Sequence, residues 1–366
     1  MAARKKSKTK RAGATRHTGV TWPRKTREVQ NPVSDSTRWN DFRYRPDDIV
    51  IVTWGKTGTT WTQQIVGQIV CGAPDDLWPV FDSPWLDMRI FPIDEVLGGL
   101  EAQTHRRFIK THLPIDALVC SPSAKYIYVA RDARDVVWSA YNHHAGFTQE
   151  ALDAFNHTPG LVGPPLGLPT MSVREYYLYF LEHGGTLPGF LTDFWDHVQG
   201  WWDVRAAPNV LLVHFNGLKT DLAHEVRRIA RFLDVDISDR QMATILEHCS
   251  FDYMRTAFSK VDLLQKFFTG GGETFIHKGT NGRWRDVLSA AESARCDEQA
   301  ARYLTPECAH WLKTGELPAE LVARTSRARP KPQAARRAGT RAHGKEKAAP
   351  KRRTPTKDRR AARSRA

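Results

Sequence analysis

The sequence has little that would take it across or out through a membrane. Of its 366 residues, no apolar run approaches the ~20 needed to cross a bilayer. The basic N-terminus has no apolar segment of the kind that leads a secreted chain. Cysteine is sparse: five residues, at positions 71, 120, 249, 296 and 308, odd in number and scattered. That excludes a disulfide framework and points to reduced thiols in a cytoplasmic setting. No His, Cys or Asp cluster has metal-ligand spacing, so no metal is expected. Acidic residues are missing from 1–27, which hold ten Lys/Arg; residues 324–366 hold seventeen against two acids. The formal net charge of +14 therefore lies in the two ends, and residues 28–323 carry 27 basic against 38 acidic side chains. The ends, 1–30 and 324–366, are poor in apolar residues and read as disordered basic tails. Weak contact with nucleic acid or another anionic surface is what such tails could offer.

What is present is concentrated in residues 49–61. The apolar run Ile49-Val-Ile-Val52 has the length of a buried parallel strand. It leads into Gly55-Lys-Thr-Gly-Thr-Thr60 and then a helix carrying Trp61, Ile65, Ile69 and Val70 near one face. Strand, tight glycine-containing loop and helix start together aim backbone N–H groups at an anion. The triphosphate loop G-x-x-x-x-G-K-[ST] needs a first glycine at position 50, which is Val. The loop is too short for a β/γ-phosphate pair and suits a single 5′-phosphate group.

Three further segments follow in order. Phe108-Ile-Lys-Thr-His-Leu-Pro114 is a short strand ending in a Lys-Thr-His step. Lys125-Tyr-Ile-Tyr-Val-Ala-Arg131 is a buried strand that runs through Asp132-Ala-Arg-Asp135 into a helix carrying Ser139. Phe275-Ile-His-Lys-Gly-Thr-Asn-Gly-Arg-Trp-Arg285 is a Lys-Gly loop closing on a tryptophan. With the first loop, these resemble the cytosolic-type sulfotransferases over about residues 38–315. That family transfers a sulfuryl group from 3′-phosphoadenosine 5′-phosphosulfate (PAPS), and the resemblance implies PAPS as co-substrate and a P-loop-like sulfotransferase fold.

The family's T-Y-P-K-S-G-T-T-W matches Thr53 to Trp61. By that match Lys56 stabilises the leaving group, Thr57, Gly58, Thr59 and Thr60 bind the 5′-phosphate, and Trp61 packs on adenine. Arg131, Ser139 and the loop His277-Lys278-Gly279 match the 3′-phosphate site, while Lys110 and His112 match the catalytic Lys-Thr-His step, with His112 as general base. The chain departs from the pattern at four places. Gly55 replaces a proline and loosens the loop, and His277 replaces an arginine, removing a bidentate fork. Phe215 replaces a tyrosine. The dimerisation signature K-x-x-x-T-V-x-x-x-E falls on Arg285, Ser289, Ala290 and Ala294, which leaves a homodimer open.

The fold expected is α/β in three layers: a central parallel sheet with strands near 49–53, 107–110, 125–130 and 209–214, helices on both faces. A helix with Leu222, Val226, Ile229 and Phe232 follows the last strand, and Ser238 with Gln241 forms a capping box. Trp195, Trp201 and Trp202 read as core. Acceptor-pocket loops are expected at 77–86 and 147–171, with Trp78, Phe81, Trp85 and Phe147 as acceptor contacts. Phe267, Phe268 and Gly270–Gly272 could gate the bound nucleotide, and His143-His144 reads as surface. The aromatic loops favour a small-molecule hydroxyl acceptor with an apolar body. On residues alone, two rivals stay open: a kinase-like phosphotransferase, and a tail-mediated nucleic-acid-binding protein with an inactive core.

Overall fold

The computed structural model describes residues 22–188 and 192–326. Four strands form one parallel sheet in the order β2-β1-β3-β4, with β1 Ile49–Thr53, β2 Phe108–Thr111, β3 Lys125–Ala130 and β4 Val210–His214. The register pairs Val52 with Thr111 on one side and with Tyr128 on the other. The C-terminal ends of β1, β2 and β3 therefore open at one edge, where Lys56, His112 and Arg131 follow. A crevice beyond the carboxyl ends of parallel strands is where α/β sheets bind ligands.

Strands β1, β3 and β4 are almost continuous in apolar residues because both faces of the sheet are covered. Ile49, Ile51, Ile127 and Val129 face a layer made by α1 (Thr59–Val70) and the helices Leu222–Phe232 and Asp239–His248. Val50, Val52, Tyr126 and Tyr128 face the opposite layer, which contains the helices Ala133–Ala145, Val173–Glu182 and Phe194–Asp203. Trp195, Trp201 and Trp202 are buried there, and Trp201 stacks on Tyr128 with centroids 5.7 Å apart. Helix Asp239–His248 starts with the capping box between Ser238 and Gln241.

Three local expectations change. The 147–171 segment is not one loop: Thr148 caps a helix over Gln149–Asn156 whose Ala151, Leu152 and Phe155 are buried. A short helix, Pro79–Asp82, likewise interrupts 77–86. Residues 22–30 are held against the core rather than free of it. Lys25 Nζ donates to Ser36 O and Asn40 Oδ1, and Trp22 packs 5.3 Å from Tyr126. Most of both tails, 1–21 and 327–366, lies outside the described residues. Among the described residues no helix is long and apolar enough to cross a membrane, and the five cysteines are unpaired.

Candidate active site

At the open edge of the sheet lies a cavity of about 340 Å³. Its floor is the loop between β1 and α1. Gly55 takes φ +124°, Lys56 +58° and Gly58 +114°, three departures to positive φ within four residues. Glycine adopts these at little cost; Lys56 does not. Gly55 is therefore a specific backbone choice rather than a loosening. Arg131 Nη1 donates to Lys56 O at 3.4 Å, tying the strained turn to β3. A Cβ on Gly58 would stand 3.0 Å from the Phe215 ring. Gly58 caps α1 without any side-chain bond, so the helix begins with N–H groups and a positive dipole end facing the cavity.

Gly58, Thr59, Thr60 and Trp61 line this floor. Trp61 is set by Nε1–H donating to Cys249 O at 2.8 Å and by its edge on Phe215, 5.6 Å away. Thr57 does not reach the cavity. It is buried, and its hydroxyl donates to Val129 O at 2.8 Å, so its part is to fasten the loop to β3.

His112 follows β2 at the cavity wall. Its Nδ1 lies 2.8 Å from Thr53 O and 2.8 Å from Thr53 Oγ1. A carbonyl only accepts, so Nδ1 carries the proton and Nε2 is left as the basic nitrogen. Thr53 Oγ1 also meets Thr59 Oγ1 at 2.8 Å, linking the base to the start of α1. Burial, and then the positive charge of Lys110, hold the His112 pKa well below the usual 6.5. The ring is neutral at physiological pH.

Trp85 supports two of these groups at once. Its edge meets His112 at 4.6 Å between centroids, and Lys110 Nζ sits 4.4 Å over its face. Its Nε1–H donates to the fully buried Asp87 at 2.7 Å, which fixes the ring. Lys110 is pulled down to about 8 by burial, with Asp87 acting the other way. Lys56 is pulled down to about 7 by burial, then by Lys110 and Arg131.

The opposite wall carries Arg131, Ser139, Phe215, His277, Lys278 and Gly279. Arg131 lies 4.2 Å over the Phe215 ring. Its Nε donates to Asn281 Oδ1 at 2.9 Å and its Nη2 to Thr280 O at 2.9 Å, so the Lys-Gly loop is fastened to the end of β3. Gly279 turns that loop at φ +59°. His277 is held below its usual pKa by burial, then by Arg283 and Lys278.

Of the aromatic acceptor candidates, Trp85 and Phe147 line the cavity. Trp78 and Phe81 do not: Trp78 packs behind the cavity's apolar end, against the cluster that holds Phe147, Met254 and Phe268, and Phe81 is 57% exposed. The apolar end of the cavity is built instead by Met88, Ile90, Met254, Leu263, Phe267 and Phe268. Phe147 and Phe268 form an isolated antiparallel bridge that closes this end.

His143 and His144 are not on the surface. His144 is buried, with Nε2 2.6 Å from Gly167 O. His143 lines the cavity among Phe147, Phe268 and Phe275, and accepts a hydrogen bond from Lys56 Nζ at 3.0 Å. Burial and the Lys56 charge push its pKa well down, so it stays a neutral acceptor that orients the lysine. Arg283, absent from the sequence-based site, also lines the cavity. Among the described residues no group of three or more His, Cys, Asp or Glu could hold a metal ion.

A parallel sheet with a glycine-containing loop and a helix start at its edge, two lysines, an arginine and a neutral imidazole suits an anionic, phosphorylated ligand. Comparison with known proteins specifies the class. The sulfotransferase domain family matches residues 46–305. A glycolipid sulfotransferase of Mycobacterium tuberculosis is 32% identical over 313 residues, covering 77% of this chain and 93% of the relative. A solved retinol dehydratase, in complex with androsterone and the inactive cofactor PAP, aligns at TM-score 0.59 and 23% identity over 74% of this chain and 84% of its own. A mouse sulfotransferase complexed with PAP aligns at TM-score 0.58 and 22% identity over 77% and 93%. The chain belongs to the sulfotransferase family.

Proposed function

We propose that the protein transfers the sulfuryl group of PAPS to the hydroxyl of an acceptor with a large apolar body. The observation that carries this is one continuous cavity with two chemistries. Its basic end holds Lys56, Lys110, Arg131 and His112; its other end is aromatic and aliphatic. The donor supplies the sulfuryl group and a leaving nucleotide. Lys56 and the start of α1 offset the charge that develops on the leaving oxygen. Arg131, Ser139 and the Lys278-Gly279 turn hold the nucleotide's 3′ side. His112 Nε2 takes the acceptor's proton as its oxygen attacks. The walls align donor and acceptor and keep water out. Trp85 and Phe147 border the acceptor. The glycolipid sulfotransferase relative and the androsterone-bound neighbour support a lipid-like or steroid-like body for it.

The test is a screen of phenols, steroids, long-chain alcohols and glycolipids with sulfur-labelled PAPS, reading labelled acceptor and released adenosine 3′,5′-bisphosphate (PAP). Stoichiometric release of PAP with acceptor labelling is the expected result. Phosphoryl transfer from ATP with no transfer from PAPS sinks the reading.

Nucleotide affinity is expected to depend on pH through the lysines. In the free protein Lys56 titrates at about 7 and Lys110 at about 8, below the usual 10.5. A bound anion raises both, so the complex holds more protons than the free protein. Affinity for PAP therefore falls as pH rises above 7, by up to about tenfold per unit for each titrating lysine. Calorimetry in buffers of different ionisation enthalpy should record net proton uptake above pH 7; proton release there contradicts the assignment.

A further inference from the structure

The family's phosphate loop has an arginine where this chain has His277, and His277 is a poor replacement. It is held in its neutral form by its surroundings, above all by burial and Arg283. A neutral imidazole offers one N–H and no charge to a phosphate dianion. Arg131 borders the same phosphate but cannot supply a second fork in place of the missing arginine, since its Nε, Nη2 and Nη1 are donated to Asn281 Oδ1, Thr280 O and Lys56 O.

We propose that Arg283 supplies the guanidinium that grips the nucleotide's 3′-phosphate, six residues beyond the position at which the family's loop places it. Arg283 lines the same wall as Arg131, Ser139, His277 and Lys278. Its Nη1 donates to His277 Nδ1 at 3.3 Å, so the guanidinium lies directly beside the imidazole that replaces the family's arginine. Its Cζ lies 5.8 Å over the ring of Trp138, the residue beside Ser139 on the Ala133–Ala145 helix. Among the described residues Arg283 has no carboxylate partner, although Asp135 and Asp286 are near in the fold or sequence. Asp135 Oδ1 is taken by Gly282 N–H at 2.7 Å. That bond, with Gly282 at φ +82°, fixes the turn that aims Arg283 inward. His277 thus serves as a neutral acceptor that positions Arg283, a relay of the kind Lys56 has in His143. The planar fork suits a phosphate monoester better than a point charge does.

The inference rests on the nucleotide reading above, and the experiment separates the two. Binding of PAP and of adenosine 5′-monophosphate, which lacks the 3′-phosphate, is measured for the full chain and its variants. Arg283→Ala is expected to weaken PAP roughly ten- to a hundredfold, the range for a lost charged hydrogen-bond pair, and to leave the monophosphate nearly unchanged. Arg283→Lys, which keeps the charge and the fold, should fall between. Adding His277→Arg to Arg283→Ala should restore the preference for PAP. Equal losses for both nucleotides, or an unchanged ratio in Arg283→Ala and Arg283→Lys, overturns the assignment. A wild-type protein with no preference for PAP overturns the nucleotide reading itself, and this proposal with it.

Discussion

Replacing His112 with alanine is expected to lower turnover by ~10²–10⁴ while PAP affinity stays close to that of the wild type. The ring is placed for one task. Thr53 O holds the proton on Nδ1 and Trp85 braces the ring edge, so Nε2 is the nitrogen free to take a proton. Burial and Lys110 keep it neutral well below pH 6.5, so no acid limb from this group should appear near neutrality. A weak buried base matters most for a reluctant acid. The loss should therefore be larger for an alcohol acceptor than for an acidic phenol, which ionises with less help. Steady-state rates with a paired alcohol and phenol, beside a binding isotherm for PAP, check this. Near-normal turnover of the alcohol would remove His112 as the base.

Lys56→Ala is expected to damage both binding and turnover, the second by roughly 10²–10³, as for loss of one preorganised donor at a developing oxyanion. The backbone should not confuse the comparison, because alanine meets the same left-handed penalty that lysine bears at φ +58°. The loop is also held by the Arg131 bond to Lys56 O, which the substitution leaves in place. His143 loses its donor, but as a neutral acceptor it leaves no stranded charge. Single-turnover rates at saturating PAPS separate the two effects. If only the half-saturating PAPS concentration rises, Lys56 holds the donor without assisting departure.

The sheet is legible because β1, β3 and β4 are short and almost wholly apolar, and because β2, although it holds Lys110 and Thr111, leads into the Lys-Thr-His step. Val50 excluded the triphosphate loop in sequence, and the turn found at Gly55–Gly58 is indeed short. A histidine pair at the end of the Ala133–Ala145 helix carries no local mark of burial; only the approach of Lys56 from another element, 87 residues away in sequence, reveals His143's place. Trp78 and Phe81 are aromatic residues in a broken segment, and local composition cannot distinguish acceptor contact from anchoring there. The apolar wall comes largely from residues 254–276, whose helices are too short to show a periodic stripe. Nothing local marks Arg283, because the role proposed for it depends on what is missing at 277.

Gly55 bears on how this chain relates to its kin. Proline, the residue the family pattern would recommend there, fixes φ near −65°, and Gly55 sits at +124°. Substitutions toward a family consensus commonly stabilise a protein. At this position the consensus residue is the one the backbone rejects. The loop carries the lysine and threonines of the pattern on a turn that proline could not make. Lys56 stands on a turn that glycine shapes, so bringing proline in at 55 would require the turn beneath the lysine to be rebuilt.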